Sequence, residues 1–168
     1  FGFMENTRCP VYYFSYRRGQ MLNAMHEKTP EDIFYKAVME AMAGLSGVTI
    51  NDYTATESVN VPFLSECEEI FSKQYVLLIE LQKDTAEPIL TEEQMKQFDV
   101  CLCRNHEIYE TLREQGSLAS MKVIQVKRGS FQKLKKQMTK DTNNIQFKMP
   151  RVLRDADMLQ LLYTMRVP

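Results

Sequence analysis

The feature that most constrains the fold is an almost uninterrupted apolar run over residues 75–81, which reads YVLLIEL. A strand that is solvated on one face alternates apolar and polar residues, whereas a strand covered on both faces is apolar nearly throughout. Strands of the second kind occur mainly in sheets that carry helices on both faces. The run therefore predicts a central strand of an α/β protein.

Segments with helical periodicity alternate with further strand-like segments along the chain. The clearest helix follows Thr29–Pro30–Glu31–Asp32, where a capping hydroxyl, a proline and two acids precede apolar residues that repeat every 3.6 positions. Gly47 is expected to end it. Other helices are predicted over 58–73, 91–98, 105–115, 130–138 and 155–165, and other strands over 11–16, 48–56, 100–103 and 122–126.

This alternation predicts βαβ units and therefore a three-layer sandwich with a mostly parallel central sheet, flavodoxin-like or Rossmann-like, with an extra C-terminal helix. A chain of 168 residues that is 44% hydrophobic and 26% charged fits one globular domain. We interpret residues 1–168 as a single α/β domain. Because the sequence begins at Phe1 and not at a methionine, we expect it to be a fragment of a larger protein.

Targeting signals and cysteine usage bear on the compartment. The sequence contains no signal-peptide pattern and no apolar stretch of about 18 residues, so no membrane partner is expected. A secreted disulfide framework would have denser cysteines than the four found here, at positions 9, 67, 101 and 103. These features predict reduced thiols in an intracellular protein, either nuclear or cytoplasmic.

The common catalytic and cofactor-binding motifs are absent from the sequence. It has no G-x-G-x-x-G, no G-x-x-x-x-G-K-[ST] and no G-x-S-x-G. Residues 124–127 resemble the metal-binding strand of PD-(D/E)xK nucleases, but Gln125 stands where that strand carries its carboxylate. We therefore expect no enzyme activity, no catalytic residues and no cofactor.

A possible metal site lies at Cys101-x-Cys103-x-x-His106, where two thiols and an imidazole are close in sequence. Zinc usually takes four ligands from paired C-x₂₋₄-C or H-x₃₋₅-H units, and this spacing supplies neither pair. On a strand, both thiols would point to the same face and pack against a helix. The expected role of the cysteines is therefore structural, with no metal bound.

Charge is unevenly distributed along the chain. Residues 51–100 contain three basic and eleven acidic residues, whereas residues 101–168 contain thirteen basic and six acidic ones. A run without acids extends from residue 122 to 140 and crosses a strand-to-helix turn, where backbone N–H groups favour an anion. Either this run contacts phosphate or an acidic partner, or it is a solvated helix face. The candidate phosphate- or partner-binding residues are Lys127, Arg128, Ser130, Lys133, Lys135 and Lys136.

The last predicted helix is apolar on almost every side. A helix of that composition must be buried, either in its own domain or against a partner. Methionine, which is favoured on adaptable binding surfaces, also lies in it. The candidate interface residues are Met158, Leu162 and Tyr163.

These observations favour a non-catalytic protein-interaction module, a scaffold element within a larger intracellular protein or assembly. An alternative is a nucleic-acid or phosphate-ligand binding domain that uses residues 122–140. A third hypothesis is an enzyme whose site combines residues scattered along the chain, which no spacing rule would reveal.

Overall fold

A computed structural model describes residues 18–67, 73–82, 88–140 and 147–168. Short 3-10 turns lie at Arg18–Gln20 and Ser58–Asn60. In this part of the chain, no helix is long and apolar enough to cross a membrane. The helices and strands are α1 Glu31–Ala43, β1 Thr49–Glu57, α2 Pro62–Cys67, β2 Tyr75–Gln82, α3 Glu92–Asn105, α4 Glu107–Glu114, β3 Lys122–Val126, α5 Ser130–Met138 and α6 Ala156–Thr164.

The sheet has the strand order β1-β2-β3, so β2 lies in the centre. All of its residues except Gln82 are buried, which confirms the central strand predicted from the apolar run. Strand β1 pairs with β2 antiparallel, and β3 pairs with β2 parallel, with Val76 opposite Lys122. The sheet is therefore small and mixed.

The predicted sandwich with a mostly parallel sheet, flavodoxin-like or Rossmann-like, is wrong. Among the described strands, only β2 and β3 are parallel. Glu57 at the end of β1 pairs with Tyr75 at the start of β2, so the connection leaves and re-enters the sheet at the same end. A βαβ crossover would instead carry the chain to the opposite end. Residues 100–103 lie inside helix α3 and not in a strand, and the strand predicted over 11–16 lies outside the described residues.

Helices cover both faces of the sheet and form two apolar cores. Alternate residues of β2 point to opposite faces. Tyr75, Leu77 and Ile79 contribute to the first core, together with α1, α3 and α4. Val76 and Leu78 contribute to the second core, together with α5 and α6. This two-sided burial explains why β2 is apolar almost throughout.

Short extended segments cover parts of both sheet edges. Residues 151–153 run parallel to β1, where the Ala55 N–H donates to the Arg151 carbonyl at 2.8 Å and the Leu153 N–H to the Ala55 carbonyl at 2.9 Å. Residues 165–167 run antiparallel to the end of β3 through two hydrogen bonds of 2.9 Å each. Covered edges are less able to pair with strands of other molecules.

The helix-start signals are only partly confirmed. Thr91 and Gln94 form the predicted capping box, but the helix that begins there continues to Asn105. Helix α1 begins at Glu31, after Pro30, and the Thr29 hydroxyl does not cap it. That hydroxyl is buried, 2.9 Å from the hydroxyl of Tyr75. The C-terminal helix is present as α6.

Candidate functional site

A cleft of about 490 Å³ lies between α1 and the first half of β1, and we call it the α1–β1 cleft. Its walls are mostly apolar, and a group of polar side chains closes one end. The apolar wall includes Tyr35, Met39, Met42, Val48 and Ile50, and the polar end includes Asp52, Tyr53 and Arg151.

An ion pair between Asp52 and Arg151 forms the polar end. Arg151 Nη1 lies 2.5 Å from Asp52 Oδ1 and also donates to the Tyr53 carbonyl at 2.8 Å. Asp52 Oδ1 accepts from the Tyr53 N–H at 2.9 Å. The Nε and Nη2 atoms of Arg151 have no hydrogen-bond partner among the described residues. One edge of the guanidinium is therefore left to bind another group.

Tyr53 lies beneath this ion pair. Its side chain is 3% exposed, and the guanidinium carbon of Arg151 lies 4.4 Å from the centre of its ring. Within the part of the chain that the structure describes, the buried Tyr53 hydroxyl has no hydrogen-bond partner. Burial raises the pKa of Tyr53 to about 12, although the nearby Arg151 charge acts in the opposite direction. A buried polar atom without a partner is uncommon and calls for an explanation.

Two further clefts meet the first one at Asp52. One, of about 560 Å³, is lined by Gln20, Glu31, Lys148 and Arg151, among others. The other, of about 290 Å³, lies against α5. Asp52 therefore lines all three clefts, and Arg151 lines the first two.

A buried carboxylate lies behind this surface. Glu80 is fully buried, and its oxygens accept hydrogen bonds from the backbone N–H groups of Gly129 and Phe131, each at 2.9 Å. It also accepts from the side chain of Asn51 at 2.5 Å, at the point where the β1–β2 register shifts. The Glu80 carboxylate therefore supplies the negative charge that the N-terminus of α5 favours.

The basic residues singled out by the sequence are mostly accessible. Lys127, Arg128, Lys133, Lys135 and Lys136 are all exposed. Ser130, by contrast, is buried, and its hydroxyl donates to the Lys127 carbonyl at 2.6 Å. The cations can meet an outside anion, whereas the Ser130 hydroxyl and the N–H groups bound by Glu80 are engaged within the chain. Binding of phosphate at this segment stays a prediction.

The residues predicted as a partner interface lie in the second apolar core. Leu162 is fully buried, Tyr163 is buried and Met158 is half-buried. The Tyr163 ring packs against Phe63 with a centroid distance of 5.3 Å. A partner would reach Leu162 and Tyr163 only if α6 moved away from the sheet. Their role in binding a partner stays a prediction.

The two cysteines and the histidine do not form the arrangement expected on a strand. Cys101 and Cys103 lie on α3, where Cys101 is buried and Cys103 half-buried. Burial is the main cause that raises the pKa of Cys103 to about 11. His106 Nδ1 accepts from the Tyr109 N–H at 2.9 Å and so caps α4. Among the described residues, no three His, Cys, Asp or Glu side chains are grouped closely enough to hold a metal ion.

The remaining buried acids are each bound by groups of the same chain. Asp99 accepts from Arg113 Nη2 at 3.0 Å, the Tyr109 hydroxyl at 2.6 Å and the Met121 N–H at 2.8 Å. Glu57 forms a two-point ion pair with Arg154, at 2.6 and 3.0 Å. These contacts join α3 to α4, and β1 to residues 151–154.

Glu27 is the acid of a tight loop that precedes α1. Its carboxylate accepts from the N–H groups of Ala24 and Met25, at 2.7 and 2.6 Å, and from the Tyr75 hydroxyl. The residues on either side of it, His26 and Lys28, have positive φ angles of 74° and 51°. Sequence reasoning missed these buried acids. The one visible signal was Glu80, a charge inside an otherwise apolar strand.

Comparisons with known proteins agree on one family. The profile of the GH3 family C-terminal domain matches residues 32–157. A mouse "GH3 domain-containing protein" is 32% identical over 158 residues, and a human one is 29% identical over 157 residues. In each case the match covers 93% of this chain but 28% of the relative. The chain thus spans just over a quarter of the length of these relatives.

Two solved structures have a similar fold. One, described as GH3.15 acyl acid amido synthetase, matches with a TM-score of 0.76 at 20% identity, over 90% of this chain and 27% of that protein. The same enzyme in complex with 2,4-DB matches with a TM-score of 0.75 at 21% identity, over 88% and 26%. At this level of identity, the similarity concerns the fold.

Proposed function

The chain belongs to the GH3 family, as its C-terminal domain, and we propose that it is a non-catalytic interaction module of a longer GH3 protein. In this proposal the domain packs on the remaining part of that protein. The relatives from mouse and human are more than three times as long as the matched segment, since the match covers 28% of each. Most of a protein of that size would lie outside this chain.

The proposal rests on the hydrogen-bond partners of the buried ionisable groups, which all belong to this chain. Glu27, Glu57, Glu80 and Asp99 each accept several hydrogen bonds from within the chain, and His106 caps a helix. Catalytic acids and bases instead face a cleft and are free to exchange a proton with a substrate. Asp99 does line a cleft, but Arg113, the Tyr109 hydroxyl and the Met121 N–H already bind its carboxylate. The α1–β1 cleft presents an ion pair and a tyrosine, a combination suited to recognition.

The activity of the longer protein is part of the same proposal. The solved structures of similar fold are described as an acyl acid amido synthetase. We propose that the longer protein joins an acyl acid to an amine, and that the reacting groups come mainly from outside this chain.

Three samples test this proposal: the full-length protein, the protein without this domain, and this chain alone. Amide formation from a panel of acyl acids and amines is followed by mass spectrometry. We expect activity from the full-length protein, a loss of at least about tenfold without the domain, and none from this chain. Partial recovery when the two pieces are mixed would support docking. Turnover by this chain alone would refute the non-catalytic role.

A second candidate function is binding of nucleic acid or another acidic partner by residues 122–140, which we call the basic segment. It is favoured by five exposed cations between residues 127 and 136, with no acid among them. Binding through these residues would weaken with salt, with a slope of log K against log salt of about −0.7 to −0.9 per phosphate contacted. Lys133→Glu together with Lys136→Glu should abolish it, whereas Lys36→Glu, an exposed position on α1, should not.

A further inference from the structure

Two exposed apolar side chains share the α1–β1 cleft. Tyr35 and Met39 lie one helical turn apart on α1 and are 51% and 43% exposed. Among the described residues, the other large exposed apolar side chains do not line this cleft: Val59, Ile89, Val100 and Ile108. Apolar residues scattered singly on a surface are ordinary, whereas a contiguous apolar patch in a groove marks an interaction site.

The polar end of the cleft has unused binding capacity. The Nε and Nη2 edge of Arg151 is unpaired within the described part of the chain, and this edge matches the two oxygens of a carboxylate. Tyrosine, arginine and methionine are also enriched at the centres of protein interfaces.

We propose that the α1–β1 cleft is the surface through which the rest of the longer GH3 protein docks. The docking segment places an apolar side chain between Tyr35 and Met39, and an Asp or Glu carboxylate on the free edge of Arg151. This inference rests on the proposed function, which says that docking occurs but not where.

The length of the relatives and the charges near the polar end of the cleft indicate what binds in the α1–β1 cleft. The matched segment is 28% of each mammalian relative, so the remainder is linked covalently and has a high effective concentration at this surface. Asp52 occupies only Nη1 of Arg151, so the Nε and Nη2 edge is left for an incoming carboxylate, although the negative charge of Asp52 reduces the attraction. Of the other charges near the polar end, Lys148 favours a carboxylate and Glu31 opposes it.

Site-directed photo-crosslinking in the full-length protein tests this surface. Benzoylphenylalanine replaces Met39 in one sample, and Val59, Ile89 or Ile108 in three controls, all of which are exposed. We expect only the probe at residue 39 to form a crosslink, identified by mass spectrometry, to a segment of the same polypeptide outside this chain. A crosslink from residue 39 to a second copy of the protein would overturn the inference.

The controls separate failure of this inference from failure of the proposed function. If a control position crosslinks to the rest of the protein and residue 39 does not, the domain docks through another face and only this inference fails. If no position crosslinks to the rest of the protein, both fail.

Variants of the polar end test the carboxylate contact. Arg151→Ala should lower the crosslink yield from residue 39 by about tenfold, because a charge-assisted hydrogen bond is lost, and Arg151→Lys by less. Arg104→Ala, on an exposed part of α3, should not change the yield. Tyr35→Ser, at a position that is 51% exposed, should also lower the yield. Unchanged yields in both Arg151→Ala and Tyr35→Ser would overturn the inference.

Discussion

Asp52 and Arg151 together replace a strand partner for Tyr53 at the edge of β1. The Arg151 carbonyl accepts from the Ala55 N–H as a neighbouring strand would, but backbone pairing does not extend to Tyr53. There, Asp52 Oδ1 accepts from the Tyr53 N–H, and Arg151 Nη1 donates to the Tyr53 carbonyl. The ion pair thus closes the sheet edge and also forms the polar end of the α1–β1 cleft.

The first prediction concerns the contribution of this ion pair to stability. Arg151→Ala should lower the free energy of unfolding by about 1–3 kcal/mol, since it removes two charge-assisted hydrogen bonds and the contact with the Tyr53 ring. Urea denaturation followed by circular dichroism measures the change. Arg104→Ala is the control: its ion pair with Glu40 is exposed and 3.5 Å long, so about 0.5 kcal/mol or less is expected. Equal losses of unfolding free energy in Arg151→Ala and Arg104→Ala would contradict a stabilising role for the Asp52–Arg151 ion pair.

The second prediction concerns the carboxylate at the start of α5. Glu80→Ala should lower the free energy of unfolding by about 3 kcal/mol or more, because it leaves the buried N–H of Phe131 and the half-buried N–H of Gly129 without an acceptor. Glu80→Gln should cost less, since the amide oxygen can still accept from one donor. The control is Glu93→Gln, at an exposed position in the first turn of α3, where a change within about 0.5 kcal/mol is expected. Urea unfolding of the three variants measures these differences.

The helices and the central strand could be predicted from sequence because their signals are local. The apolar run identified β2, and the capping box located the start of α3. Strand direction could not be predicted in this way, because the helical pattern between β1 and β2 is also compatible with a connection that returns to the same end of the sheet. Residues 100–103 are apolar and too few to distinguish a strand from the last turns of a helix.

The α1–β1 cleft could not be predicted, because it combines common residue types from distant parts of the chain. Asp52 and Arg151 are 99 residues apart, and neither belongs to a recognisable motif. The sequence instead predicted binding at the basic segment, where positive charge is concentrated, and at the last helix, where apolar residues are concentrated. Two of the three residues selected in the last helix, Leu162 and Tyr163, are buried in the second core.

The third prediction distinguishes a core role for α6 from a role as a free arm. Leu162→Ala should lower the free energy of unfolding by about 2–5 kcal/mol, because the side chain is fully buried in the second core. Leu161→Ala is the matched control on the same helix, and its half-buried side chain should cost markedly less. Thermal melting of both variants gives the comparison. If Leu162→Ala cost no more than Leu161→Ala, α6 would not be part of the core.

The last prediction concerns His106, whose neutral form caps α4. Burial lowers the pKa of His106 below its usual 6.5, although Glu27 and backbone hydrogen bonds oppose this effect. Nδ1 can accept from the Tyr109 N–H only while it carries no proton. The unfolded chain therefore binds a proton near pH 6.5, and the folded chain binds it only at lower pH. The stability that neutral His106 contributes should be fully present above pH 6.5. It should be lost as the pH falls towards the lowered pKa of the folded state.

Urea denaturation between pH 7.5 and pH 5 measures this loss, whose slope from one imidazole is at most about 1.4 kcal/mol per pH unit. His106→Asn should remove this part of the pH dependence, because asparagine also caps helices but does not titrate in this range. His26→Asn is the matched control, since residue 26 is exposed and asparagine tolerates its φ of 74°. It should keep the pH dependence of the unmodified chain. A pH dependence that disappears in His26→Asn and persists in His106→Asn would show that the imidazole of His106 does not cause it.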